Sequence, residues 1–160
     1  MVQINISTTT PVNPPSATPK LSHSDLWKAL VSKARQPEEF VAVIDKCRIV
    51  SENPSGLRRA VLFKGEENEV EEDVRFVKDM KIDFHVPATG QAVSNIISGL
   101  DSDPEHLMLT FTFEWPHPGI KDDDEMEIRK LKEKYEALSR NVVPHTVAVA
   151  RKMVVEGRLG

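Results

Sequence analysis

Between Asp45 and Trp115 apolar and polar residues alternate with a period of two, six times over, and a turn signal closes each stretch. Strand side chains point to opposite faces in alternation, so this pattern demands β-strands with one buried face. The strands are expected at about 46–52, 57–64, 69–77, 80–86, 91–99 and 106–115. The breaks are Asn53-Pro-Ser-Gly56, Gly65-Glu-Glu-Asn68, Lys78-Asp79, Pro87-Ala-Thr-Gly90 and Asp101-Ser-Asp-Pro104. Links this short join antiparallel neighbours. Val2, Ile4 and Ile6 alternate with Gln3, Asn5 and Ser7, which adds a seventh strand at the start of the chain. A sheet of that size has an apolar face that something must cover.

One stretch is long enough to cover it. Asp122, Asp123 and Asp124 offer a cap and negative charge for a helix that Gly157 should end. Met126, Leu131, Tyr135, Leu138, Val142, Thr146, Val149 and Met153 make its expected apolar stripe, and Pro144 should kink it. Earlier, Pro11, Pro14, Pro15 and Pro19 impose an extended loop over Thr8–Lys20, tied down at both ends. Ser22 as N-cap, Asp25 at N3 and the Leu21/Leu26 staple open a short helix with Leu26, Leu30 and Ala34 on its apolar face. Pro37 ends it and is expected to open a second short helix through Val41. The expectation is an α+β fold. A curved seven-stranded antiparallel sheet wraps a long C-terminal helix, two short helices follow strand 1, and a pocket for a small apolar molecule lies inside.

A length of 160 residues suits one domain, 1–160. A net charge of −4 without a basic stripe argues against nucleic acid and anionic membranes. Cys47 is the only cysteine, which excludes an intramolecular disulfide and fits a reducing compartment. Met1–Lys20 carries no secretory pattern, and no stretch reaches the ~20 apolar residues of a membrane span, so a cytoplasmic protein is expected. No G-x-S-x-G, phosphate loop or dinucleotide fingerprint occurs. His23, His85, His106, His117 and His145 lack metal-ligand spacing, and Asp101-Ser-Asp103 lacks the rest of a calcium loop. Neither metal nor cofactor is expected.

Strand parity singles out three polar residues among inward apolar ones. Arg59 shares a face with Leu57, Val61 and Phe63; Glu72 with Val70, Val74 and Phe76; Asn95 with Val93 and Ile97. Inward polar groups need partners, since an orphan buried charge costs several kcal/mol. Two readings stay open. Arg59 and Glu72 pair across neighbouring strands with Asn95 completing a structural network. Alternatively they sit at a pocket floor, with Glu72 as acid or base and Arg59 binding an oxyanion. Tyr135 either packs in the core or donates to a ligand, and Trp115, Phe63 and Phe84 are candidate walls. His145 either faces the pocket or is a satisfied histidine beside Pro144.

Several local motifs, in this order, are similar to the AtaL-like family of the START-like, helix-grip superfamily. They are Leu26-Trp-Lys-Ala-Leu30, Lys33-Ala-Arg-Gln-Pro37 with Phe40-Val41, the Arg59 strand and Glu72-Asp-Val74. Val93–Ser98, Leu107–Trp115 with Pro118-Gly119, and Arg151–Gly157 complete the set. Pro144-His145 departs from the family pattern, which carries no proline there. The resemblance spans nearly the whole chain. It implies a ligand-binding fold, a fungal origin and a link to secondary-metabolite gene clusters, without a common catalytic motif. The reading that follows is a cofactor-independent enzyme that cyclises, dehydrates or isomerises a small hydrophobic, polyketide- or peptide-derived metabolite. Such a protein is expected to be a monomer or weak dimer. The alternative is a non-catalytic carrier of such a metabolite; a purely structural protein would instead have a filled core.

Overall fold

The computed structural model describes residues 1–160. Seven strands form one antiparallel sheet: β1 (Val2–Pro11), β2 (Ile44–Asn53), β3 (Gly56–Phe63), β4 (Val70–Val77), β5 (Lys81–His85), β6 (Ala92–Ser98) and β7 (Met108–His117). Their spatial order is β1-β7-β6-β5-β4-β3-β2, a meander from β2 to β7 with the first strand added beside the last. At the β2–β3 hairpin Gly56 cannot be replaced without movement, because a Cβ there would lie 1.9 Å from the Val74 carbonyl oxygen. Strand β7 (Met108–His117) runs through Pro116, past the end expected at about residue 115. Pairing with β6 stops at Glu114, so beyond that point only β1 is a neighbour, and the ring is tolerated.

Helix α1 (His23–Arg35) begins with the expected capping box: Ser22 Oγ accepts from the Asp25 amide at 3.0 Å and Asp25 Oδ2 from the Ser22 amide at 2.9 Å. The second short helix is instead a single 3-10 turn, Pro37–Glu39. It stops there because Phe40 turns into the core, where it is almost wholly buried. The proline-rich loop begins later than expected, because β1 pairs with β7 as far as Pro11, and what remains of it is tied down. Asn13 Nδ2 donates to the Leu21 and Pro104 carbonyls at 2.8 and 2.7 Å, and Arg151 donates to the carbonyls of Val12 and Pro19.

Helix α2 (Glu125–Val155) packs on β1, β7 and α1, and Pro144 lies inside it without ending it. Its apolar stripe differs from the expected one. No residue before Ser139 is buried; Met126 is 82% and Leu138 46% exposed. The contact face is Ser139, Val143, Thr146, Val147, Ala150 and Met153, with Val149 beside it. Geometry explains the shift: 31 residues at 1.5 Å span about 46 Å, whereas a ten-residue strand spans about 33 Å. The first turns of α2 overhang the sheet.

Candidate functional site

The concave face carries the polar residues that strand parity placed there. Arg59 on β3 lies directly opposite Glu72 on β4, and both are buried. Arg59 Nε donates to Glu72 Oε2 at 2.8 Å, and Nη2 approaches the same oxygen at 2.7 Å. Arg59 Nη1 reaches the Ala34 carbonyl at 2.8 Å and the Lys33 carbonyl at 3.3 Å, at the C-terminal end of α1. A guanidinium there satisfies carbonyls the helix leaves unbonded and complements its dipole. Glu72 Oε1 takes part in none of these bonds. Asn95 Nδ2 is the one sealed side-chain polar atom without a partner, so Glu72 Oε1 retains contact with accessible space.

Asn95 does not complete the Arg59–Glu72 pair. Its partner is Lys33 of α1, whose Nζ donates to Asn95 Oδ1 at 2.8 Å. Lys33 is 6% exposed, an extreme for a lysine. Its Nζ lies 4.8 Å from the Phe84 ring centre and 4.9 Å from that of Phe111, and Arg59 also rests 4.8 Å from Phe84. Loss of hydration pulls the Lys33 amine down to about 7, helped by the Arg59 charge and opposed by Glu72. Lys33 was legible only as part of a motif, yet its spacing carries a signal. It stands seven residues after Leu26 and three after Leu30, on the stripe that α1 buries.

An aromatic row runs along β7 away from this cluster. Phe111 meets Phe113 edge-on at 6.2 Å, Phe113 stacks on Trp115 at 4.7 Å, and Trp115 stacks on Tyr135 of α2 at 3.9 Å. The Tyr135 hydroxyl and His117 Nε2 share a hydrogen bond of 2.9 Å, so Tyr135 has a protein partner that parity had not suggested. Burial raises the Tyr135 phenol above its ordinary value. Phe84 lies beneath the two cations; Phe63, half-buried at the end of β3, faces Ile44. His145 stands apart. It is exposed on α2, with Nε2 3.2 Å from the Glu39 carbonyl oxygen.

The principal surface grooves are lined mostly by polar side chains, and none is lined by Lys33, Arg59, Glu72 or Asn95. One, over the outer ends of β3–β5, is bordered by Arg58, Asp73, Arg75, Asp83 and His85. The buried cluster lies on the other face.

A long helix held against the concave face of a seven-stranded antiparallel meander is the helix-grip fold of the polyketide aromatase/cyclases. The Zhui aromatase/cyclase from a Streptomyces species superposes with a TM-score of 0.70 at 15% identity, covering 96% of each chain. The di-domain aromatase/cyclase StfQ of the steffimycin pathway gives 0.68 at 10% identity, over 96% of this chain and 51% of that one. A protein of unknown function from Staphylococcus aureus gives 0.66 at 9%, over 97% of both. At these identities the likeness concerns the fold. The chain itself belongs to the AtaL family, described as acetylaranotin biosynthesis cluster protein L, whose model matches residues 6–157. No curated protein matches it in sequence. No helix is long and apolar enough to cross a membrane.

Proposed function

We propose that this chain takes a small, largely apolar intermediate of secondary metabolism between its sheet and α2. There it catalyses cyclisation, dehydration or isomerisation by proton transfer, without a cofactor. The observation that carries the reading is the buried Arg59–Glu72 pair, in which one carboxylate oxygen is held by the guanidinium and the other is free. Such an oxygen can take a proton from carbon beside a carbonyl and return it elsewhere on the same molecule. The row Phe111–Phe113–Trp115–Tyr135, whose rings pack on one another, would give a ligand an apolar wall that holds a flexible chain in a reactive fold, and orientation of that kind supplies much of a cyclase's rate. Family membership and the cyclase fold support the substrate class. Carriage without catalysis is the second reading. It draws on Arg59, each of whose three nitrogens is already engaged by Glu72 or by the carbonyls at the end of α1.

The test uses culture extract from a strain lacking this gene. Wild-type protein is expected to consume one accumulated metabolite. Glu72→Gln, near-isosteric and still able to bond Arg59, should keep the fold and lose turnover by about 100-fold or more. Binding without consumption by wild type would establish the carrier. Equal turnover by Glu72→Gln would remove Glu72 from the mechanism.

A further inference from the structure

We propose that Lys33 is a nucleophile that forms a Schiff base with a ketone or 1,3-dicarbonyl group of the ligand, with Asn95 Nδ2 as the donor to the carbonyl oxygen. The inference rests on the interior binding site proposed above and adds a covalent step to it. As the ammonium, Lys33 has three donors and no acceptor, so in that form the atom facing Nζ at 2.8 Å is Asn95 Oδ1, and this orients the amide. The neutral amine keeps two donors, one of which can hold the same contact. Asn95 Nδ2, wholly buried and without a partner, is held beside the amine by the same planar group. A carbonyl that accepts from Nδ2 brings its carbon next to Nζ, so one asparagine orients both reacting partners. An unsatisfied buried donor in a native fold calls for an acceptor, and a ligand oxygen supplies one.

The remaining surroundings suit the chemistry. Phe84 and Phe111 give the amine an apolar setting, and the neighbouring Arg59 cation further disfavours its protonation. A lysine in a desolvated site beside another cation is activated as a nucleophile, since the neutral amine is the reactive form. The Nζ lone pair bonds to the carbonyl carbon while a proton passes from nitrogen to oxygen, giving a carbinolamine. Loss of water, with one proton taken up on nitrogen from solvent, leaves the iminium. The iminium acidifies the adjacent C–H, whose proton goes to Glu72 Oε1. The resulting neutral enamine attacks a second carbonyl carbon of the same molecule through its carbon, forming the ring bond and restoring the iminium, and the new alkoxide recovers the proton from Glu72. One water then hydrolyses the iminium, returning the nitrogen proton to solvent and freeing Lys33 as the neutral amine. The water lost is regained, and no oxidant or reductant is needed.

Benzoylacetone, an apolar 1,3-diketone, is the probe, because its lysine adduct is a stable enaminone. The full-length protein should gain one probe mass less one water, with peptide mapping placing it on Lys33 rather than on the exposed lysines. Labelling should rise with pH through about 7, following Lys33 rather than an ordinary amine near 10.5. Asn95→Leu should slow labelling about 100-fold while the melting temperature still rises with the probe. If Lys33→Met does not fold, the wild-type peptide map alone decides. Benzoylacetone that raises the melting temperature without a Lys33 adduct would overturn the covalent step and leave interior binding standing. Absence of any binding would overturn both, and scattered labelling of surface lysines would overturn the Schiff base.

Discussion

A chain cut after Asn141 will not unfold cooperatively in urea and will be recovered as insoluble or molten protein. The deletion removes Val143, Val147, Val149 and Met153, all buried against the sheet or α1. Each such side chain contributes about 1.5–3 kcal/mol, so the loss is about 6–12 kcal/mol, comparable to the whole stability of a domain. Arg151 leaves with them, and with it the bonds to Val12 and Pro19 that hold the proline-rich loop. The first half of α2 is different. Leu138 is 46% exposed, and its replacement by Ser should change stability by no more than about 0.5 kcal/mol. Circular dichroism through a urea titration separates the cases. A sigmoidal two-state transition in the truncated chain would mean that the end of α2 does not close the core.

Arg59→Ala will be among the most damaging single substitutions in the sheet, at about 3–5 kcal/mol. It leaves Glu72 as a buried carboxylate without its countercharge and takes the donor from the Ala34 and Lys33 carbonyls at the end of α1. It also removes the cation stacked on Phe84. On the outer face Arg58 pairs with Asp73 at 2.7 Å, but both are well exposed, and such pairs are worth little. Arg58→Ala should therefore leave the denaturant midpoint almost unchanged. Denaturant midpoints for the two alanine variants give the comparison. Equal, small losses would show that the inward pair is not buried in solution.

The sheet and the Arg59–Glu72 pairing were legible because period two is a strict rule: residues two apart share a face, and neighbouring inward charges of opposite sign find each other. Asn95 could be read as inward from the same rule. Its partner could not, because a strand pattern says nothing of which helix crosses above it. Lys33 lay on the buried stripe of α1, where a lysine is ordinarily assigned to solvent. The stripe of α2 was misplaced for a related reason. Apolar spacing from Met126 to Met153 satisfies helical periodicity throughout, but burial also needs a surface opposite, and the sheet ends before the helix does. Pro37–Glu39 became a 3-10 turn because Phe40 was needed in the core, a tertiary demand absent from local propensity.

The central claim is that a ligand enters between the sheet and α2, along the aromatic row. Trp115 sits in that row, between Phe113 and Tyr135, and Trp27 is the only other tryptophan. In a Trp27→Phe variant the emission therefore reports Trp115 alone. Titration with a hydroxyanthraquinone should quench it saturably at one equivalent. At a ligand concentration about 100-fold above Kd the melting temperature should rise by about 5–10 °C, since binding to the native state alone stabilises it. Linear quenching without saturation, at an unchanged melting temperature, would contradict the claim.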